Sequence, residues 1–396
     1  MKTRRANGEG GVYKDGNRYK GYINIGTDVN GKKIKKYFTG KTKSKVTAAM
    51  SKYKEDKGLL NLSCLSPDKI TLEKYINYWL KNIQYYNLKP QSYDRIESTV
   101  RNHIVPEIGF LQFSSVTTYD IQELINKKYN IEGLSYSSVK KIKDSLNSCY
   151  NYNLMLSPKE RIVGYNPCAA VVLKRRPEIN KNETKYFNVS EINKIKAELS
   201  RVTKSNGVKI YSYGAAYILM LNTGIRLGEA AALNKNDIDI ESRRMRICKN
   251  TIRQKQRDEN KEITSGYSLS VVNSVKTSTS DRWIPLNEAA VDACVELLKL
   301  YPEQPALINS RNGTRITPSA LEKRFKQVLK KSNISSHGRN IHALRHTFAS
   351  IMIKNNIDVK VVSEILGHST TRITYDIYTH VFDEQKKNLI TYLPAI

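Results

Sequence analysis

Cysteine is scarce in this 396-residue chain, and the five present (Cys64, Cys149, Cys168, Cys248, Cys294) are scattered, odd in number and never in C-x-x-C spacing. A disulfide framework and a cysteine-based zinc site are therefore not expected, and a reducing compartment is. No stretch approaches the roughly 18 apolar residues that a membrane-spanning helix needs. The opening MKTRRANGEGGVYK has no apolar core of the kind a secretory signal carries. A phosphate-cradling G-x-x-x-x-G-K-[ST] loop is missing too, so nothing points to nucleotide-driven chemistry. Acidic residues are also few: 37 Asp and Glu stand against 66 Lys and Arg, a formal charge of +29.

A chain so lopsided repels itself when compact and makes most sense opposite a polyanion. The charge is not gathered into one juxtamembrane run, so nucleic acid fits better than an anionic membrane. Hydrophobic residues at 39% and charged residues at 26% are globular values, and the length suits two or three domains.

The first sixty residues hold sixteen Lys and Arg against five Asp and Glu. Alternation in GVYKDGNRYKGYINIGTDVNGKKIKKYFTG predicts three strands, 11–13, 18–25 and 32–38, with turns at Asp15-Gly16 and Asn30-Gly31. A basic helix should follow and stop at Gly58. A sheet this basic suits a DNA major groove, with Arg18, Lys20, Lys33 and Lys35 as candidate contacts; a solvated charged face is the plainer reading. Beyond the polar NLSCLSPDK, apolar residues at helical spacing (Leu72, Tyr75, Ile76, Trp79, Leu80, Ile83) predict a helix over 71–83. Others are expected at 90–105, 118–129 and 135–155. Lys140, Lys141 and Lys143 on the last, with Arg175 and Arg176 beyond it, give this all-α block basic flanks. The charged segment 173–186 reads as a linker. From about 187 the pattern is mixed but mainly α: helices at 190–199, 208–222, 287–300 and 318–332, strand-like pieces near 237–240, 244–250, 267–275 and 282–286, then short helices from His342.

Five of the six histidines fall between 337 and 380, which marks a reactive stretch. His342 and His346 have i,i+4 spacing, but the residues between them are Ala-Leu-Arg. The glutamate of H-E-x-x-H is missing and Arg345 would repel a divalent cation, so no metal is expected. TGIRLGEAAAL puts Arg226 just after Gly224, a residue suited to ending a helix. HALRH sets His342 and Arg345 on one helical face. LGHS offers His368 after Gly367, and YDIYTH supplies Tyr378. Two arginines are natural bidentate partners for one phosphate, and two imidazoles with a tyrosine complete a phosphodiester site better than an acyl-transfer site. The plainer readings are an Arg226 paired with Glu229 at i+3, a structural His346, a His380 bonded locally, and a Tyr375 one turn before Tyr378 that fills the core.

These motifs, in this order, resemble the signature of the tyrosine recombinases, and the chain is most similar to the integrases of conjugative transposons and related phages. The resemblance implies an arm-type DNA-binding domain at 1–66, a helical core-binding domain at 70–175 and a catalytic domain at 182–396. It implies a catalytic lysine on the hairpin before H-x-x-R, which VKTSTSDRWIPL would supply as Lys276. Arg226 and Arg345, helped by His368, would hold the scissile phosphate. Tyr378 would attack to form a 3′-phosphotyrosyl link, with His342 assisting deprotonation and Lys276 protonating the leaving oxygen, needing neither cofactor, metal nor ATP. Four protomers would exchange strands through a Holliday junction and integrate or excise a mobile element. An excisionase and a host DNA-bending protein are further partners the resemblance allows, and a bacterial cytoplasm, on the nucleoid, is the implied location. The apolar residues after 383 suggest a tail that docks on a neighbouring protomer or folds back on its own domain. A type IB topoisomerase, or a DNA-binding regulator that has lost activity, are the competing readings.

Overall fold

Period-two alternation gives the N-terminal sheet two different faces. In the computed structural model, which describes residues 11–27, 33–56, 70–158, 160–176, 186–205, 207–273, 281–336, 338–375 and 377–378, strands β1 (Val12–Asp15), β2 (Arg18–Thr27) and β3 (Lys33–Gly40) form an antiparallel sheet in the order β1-β2-β3. Gly21 and Ile23 point toward α1 (Lys43–Asp56), whose Val46 and Met50 complete a small apolar cluster. A Cβ on Gly21 would lie 2.4 Å from Met50 Sδ, so close packing of helix on strand requires glycine there. On the opposite face Tyr22 stands across from Tyr37, with Lys35 4.7 Å from the Tyr22 ring and Lys20 5.3 Å from that of Tyr37. The first turn is centred on Gly16-Asn17, one residue later than the sequence suggests. Asp15 still pairs with Arg18, and Gly16 takes the positive φ (58°). The turn at Asn30-Gly31, the side chain of Lys33, Lys276, His337, His380 and the tail from 379 lie outside the described residues.

Contacts divide the chain into two compact units, 1–177 with 255–266, and 178–254 with 267–396. The first also holds a helical block with its own core. Its helices are α2 (Leu72–Trp79), α3 (Tyr85–Asn87), α4 (Pro90–Thr99), α5 (Val105–Ile108), α6 (Thr118–Asn126) and α7 (Tyr136–Met155). Ser135 caps α7 and Thr117 forms a capping box with Asp120, both legible start signals. The expected helices at 71–83, 90–105 and 118–129 each run into a π-helical turn, at Leu80–Gln84, Val100–Ile104 and Lys127–Ile131. A single turn of this kind is too short to be read from an apolar period. Phe113 stacks between Tyr75 (4.0 Å) and Tyr150 (4.5 Å) at the centre of this core.

Residues 173–176, expected as linker, are instead pinned to the block. Gln122 exchanges two hydrogen bonds with the backbone of Val172, and the Arg176 guanidinium donates to Tyr129 O and Asn130 Oδ1 while lying 4.2 Å from the Tyr129 ring. Lys143 is used similarly, donating to Val171 O, while exposed Lys140 pairs with Asp144. Within the same unit, Arg257 and Lys255 meet Asp94 and Glu97 of α4.

The second unit is built round α9 (Gly214–Thr223), apolar on nearly every side and therefore a core helix. Against it pack α8 (Val189–Leu199), α10 (Leu227–Ala232), α11 (Glu288–Leu300) and α13 (His342–Lys354), with α12 (Pro318–Lys331) beside α8 and α10 and α14 (Val359–Leu366) beside α13. The helix expected over 208–222 starts six residues late because 208–210 fold back on the segment after α8. Thr203 N donates to Val208 O and Ile210 N to Arg201 O around Gly207. Strands β4 (Ile238–Asp239), β5 (Arg244–Ile247) and β8 (Arg282–Pro285) form one antiparallel sheet, β6 (Lys249–Arg257) and β7 (Ile263–Asn273) another. Most of β6 escapes the sequence reading because its residues beyond 250 are nearly all polar, so no alternation marks it, whereas the alternating Tyr267, Leu269 and Val271 make β7 legible.

Candidate active site

Gly224 opens the site. It closes α9 in the left-handed region (φ 64°), and a Cβ there would also fall 2.5 Å from Phe348 Cδ1 and 2.8 Å from Leu366 Cδ2. Backbone strain and lack of space both demand glycine. Two residues on, Arg226 sits at the start of α10, where its backbone N–H and its Nη1 both donate to Glu229, at 2.9 Å each. The i+3 pairing that is the plainer reading of Arg226 is thus present. Glu229 is buried and also receives Arg282 of β8, Nη2 to Oε2 at 2.9 Å. Burial alone would raise its pKa, but the adjacent Arg282 and Arg226 outweigh that and hold it below the usual carboxylate value.

The C-terminal end of α14 gathers these arginines. Its last three carbonyls, ending at the left-handed Gly367, each accept from a different guanidinium: Ile365 O from Arg282 (2.7 Å), Leu366 O from Arg345 (2.8 Å) and Gly367 O from Arg226 (2.8 Å). Unsatisfied carbonyls with the negative end of the helix dipole are a natural seat for cations. Arg345 also donates to Gly224 O at 2.9 Å. It is buried, and desolvation together with Arg226 lowers its pKa to about 9. Arg226 keeps 39% of its side chain exposed, open to a ligand. The sequence points to Arg226, Arg345 and the Gly367 stop; it offers no sign that Arg282 joins them.

His368 follows directly. Its Nε2 lies 2.8 Å from Arg345 Nη2 and its Nδ1 2.8 Å from the buried Thr374 hydroxyl. Arginine can only donate, so Nε2 accepts and the ring proton sits on Nδ1, toward Thr374. Desolvation, then Arg345 and Arg226, push the His368 pKa down to about 4. The unfolded chain then binds a proton between about pH 6.5 and 4 that the folded chain refuses, so the stabilising contribution is whole above that window and lost as pH falls through it. We expect the thermal midpoint to drop as pH is lowered across this range, and less steeply in His368→Gln. Calorimetry at half-unit pH steps checks this.

Tyr378 is buried with Phe348, Ile353, Val362 and Leu366, and its Oη lies 3.0 Å from Nδ1 of His346, the residue after Arg345 on α13. Burial raises its pKa to about 12, against the pull of Arg345. Tyr375 is half exposed, so it does not fill the core. His342 begins α13 and has its pKa lowered by desolvation, then by Arg345. Of the six expected catalytic residues, the structure gathers Arg226, Arg345 and His368 in one connected network, with Tyr378 and His342 on or against the same helix; Lys276 is not described. Among the described residues no three His, Cys, Asp or Glu side chains are grouped to hold a metal.

This arrangement, two arginines and an imidazole beside a buried tyrosine, is one suited to phosphodiesters. The family model described as the phage integrase family matches residues 185–385, and that of its N-terminal SAM-like domain matches 71–129. The chain therefore belongs to the phage integrase family and is a tyrosine recombinase. Among its relatives is a XerC-like tyrosine recombinase of Caldanaerobacter subterraneus subsp. tengcongensis, 29% identical over 390 residues that span 94% of each chain. A probable integrase of prophage ps2 in Lactococcus lactis subsp. lactis is 25% identical over 84% of this chain and 85% of the relative. The fold is that of the Tn1549 transposon integrase, solved with transposon right end DNA (TM-score 0.63, 21% identity, 82% of this chain and 99% of that one). The lambda integrase dimer on a core site is also similar (TM-score 0.57, 16% identity, covering 95% and 96%).

Proposed function

We propose that the protein integrates and excises a mobile element by cutting and rejoining DNA strands at specific sites, through a 3′-phosphotyrosyl intermediate and a Holliday junction. The observation that carries this reading is the cluster of guanidinium groups on the α14 carbonyls next to His368, on the unit that holds Tyr378. Anchored in advance, Arg226 and Arg345 are set to stabilise the negative charge that grows on the phosphate oxygens. Each such preorganised donor is worth about 2.7–4 kcal/mol. A bound phosphate draws Arg345 away from His368 Nε2 and favours imidazolium, turning His368 into a third donor. Tyr378 Oη attacks phosphorus, and Lys276 protonates the departing 5′-oxygen. The phosphodiester energy is kept in the protein–DNA bond, so resealing needs no ATP.

The work divides along the chain. Residues 1–66 take the arm-type site, through Arg18, Lys20, Lys33 and Lys35. Residues 70–175 lie on core DNA through Lys140, Lys141 and Arg175, while Lys143 and Arg176 brace the end of that block. Residues 182–396 carry the chemistry. The relatives solved on transposon-end DNA, on a core site and as a tetramer on a Holliday junction are the pattern for this DNA and for a homotetramer. An excisionase and a host bending protein would set direction. No helix among the described residues is long and apolar enough to cross a membrane, and the nucleoid in the cytoplasm is the proposed place of action.

The test is recombination between two plasmids carrying the element's joined ends and its target, in chelator and without ATP. Recombinant circles are expected from wild type. Relaxation of a plasmid without any site, and no recombinants, would favour a topoisomerase instead.

A further inference from the structure

The proton on Tyr378 has to go somewhere as its oxygen attacks. The Tyr378 side chain is 1% exposed and walled by Phe348, Ile353, Val362 and Leu366, so bulk water is poorly placed to take it. His346 Nδ1 lies 3.0 Å from the hydroxyl, with the two rings tilted by 59° and their centroids 5.9 Å apart. His346 is fixed on α13 one residue after Arg345, so the helix that holds the phosphate clamp also fixes this imidazole. His342, one turn earlier, has Arg345 and Arg226 among its charged neighbours.

We infer that His346 is the immediate proton acceptor for Tyr378, positioning the phenol through Nδ1 and taking its proton as Oη attacks the scissile phosphorus. This rests on Tyr378 being the nucleophile. In the step, the Oη–P bond forms and the P–O5′ bond breaks. The phenolic proton moves to His346 Nδ1, and the 5′-oxygen receives a separate proton from Lys276. On resealing, the incoming 5′-hydroxyl returns its proton to the now neutral Lys276, O5′–P forms, Oη–P breaks, and the imidazolium returns the phenolic proton to Oη. The role needs Nδ1 unprotonated beforehand. Arg345, on the same helix, acts on the Tyr378 phenol, and His346 is among the charged neighbours of His368, together with Arg345, Arg226 and Arg282.

The experiment is single-turnover cleavage of a nicked attachment-site duplex by full-length His346→Ala and His346→Asn, with an ordinary 5′-oxygen or a 5′-bridging sulfur at the scissile phosphate. Folding and DNA affinity are checked for both variants, and Asn, which keeps an acceptor near the Nδ1 position, covers the case in which Ala does not fold. We expect both variants to bind DNA as wild type does and to cleave about 100-fold more slowly. Their rates should rise tenfold per pH unit where the wild-type rate has levelled. Sulfur, a leaving group that needs no proton, should rescue Lys276→Ala but neither His346 variant. Wild-type or faster cleavage by His346→Ala, rescue by sulfur, or full activity in His346→Asn would each overturn the proton-acceptor role; the last would leave His346 as a positioning residue only. An adduct that survives Tyr378→Phe would instead overturn the nucleophile on which the inference depends.

Discussion

Tyr378→Phe is expected to bind attachment-site DNA with wild-type affinity and to form no covalent adduct, a loss of at least about 10⁴-fold. Removing a nucleophile leaves only positioning and charge stabilisation, which cannot make the protein–DNA bond. The variant tests chemistry rather than folding. The ring stays in its pocket of Phe348, Ile353, Val362 and Leu366, and the hydrogen bond to His346 that is lost is worth about 1 kcal/mol. Tyr375→Phe is the matched control. It lies on the same short stretch, is half exposed, and should cleave at the wild-type rate. Denaturing gel electrophoresis of a nicked duplex after incubation reads both variants.

Glu229→Ala should produce the largest loss of stability. Its carboxylate is the acceptor that Arg226 and Arg282 share, and the Arg282–Glu229 pair is almost wholly out of water, with 8% and 7% of the side chains exposed. Removing the anion leaves a buried cation unpaired, which costs about 3–5 kcal/mol. A unit of this size should then melt roughly 10 °C lower. Function should suffer separately, because Arg226 loses the partner that fixes its guanidinium against Gly367 O. Glu229→Gln, which keeps the shape and a hydrogen-bond acceptor but no charge, should fall between wild type and alanine in melting temperature. Scanning calorimetry with a parallel cleavage assay separates the two effects. A Glu229→Ala protein that melts within about 1 °C of wild type would mean that the arginines find other anions.

Much of the site is legible in the sequence because its chemistry is local along the chain. Arg226 behind a helix-ending glycine, the His342–Arg345 spacing, and His368 behind Gly367 are each short motifs whose spacing carries the meaning. The remaining parts depend on contacts distant in the chain. Arg282 belongs to the network only because β8 pairs with β5 and brings it under Ile365 O, and no pattern near residue 282 signals that. His346 reads as structural in the sequence; only packing of Tyr378 against α13 reveals its partner. The fold divides the same way. Helix starts with side-chain caps, such as Ser135 before α7, are legible. The π-helical turns and the polar strand β6 are not, because a five-residue turn is too short to stand out in an apolar period and β6 has few apolar residues to show one.

The proposed function requires DNA to become covalently joined to Tyr378. The most direct measurement is to trap the adduct on a nicked attachment-site duplex in chelator, digest the protein, and identify the DNA-bearing peptide by mass spectrometry. A single modified peptide, carrying the 3′-phosphate on Tyr378, is expected. A nucleotide on any other residue, or no adduct on DNA that the protein demonstrably binds, would contradict it.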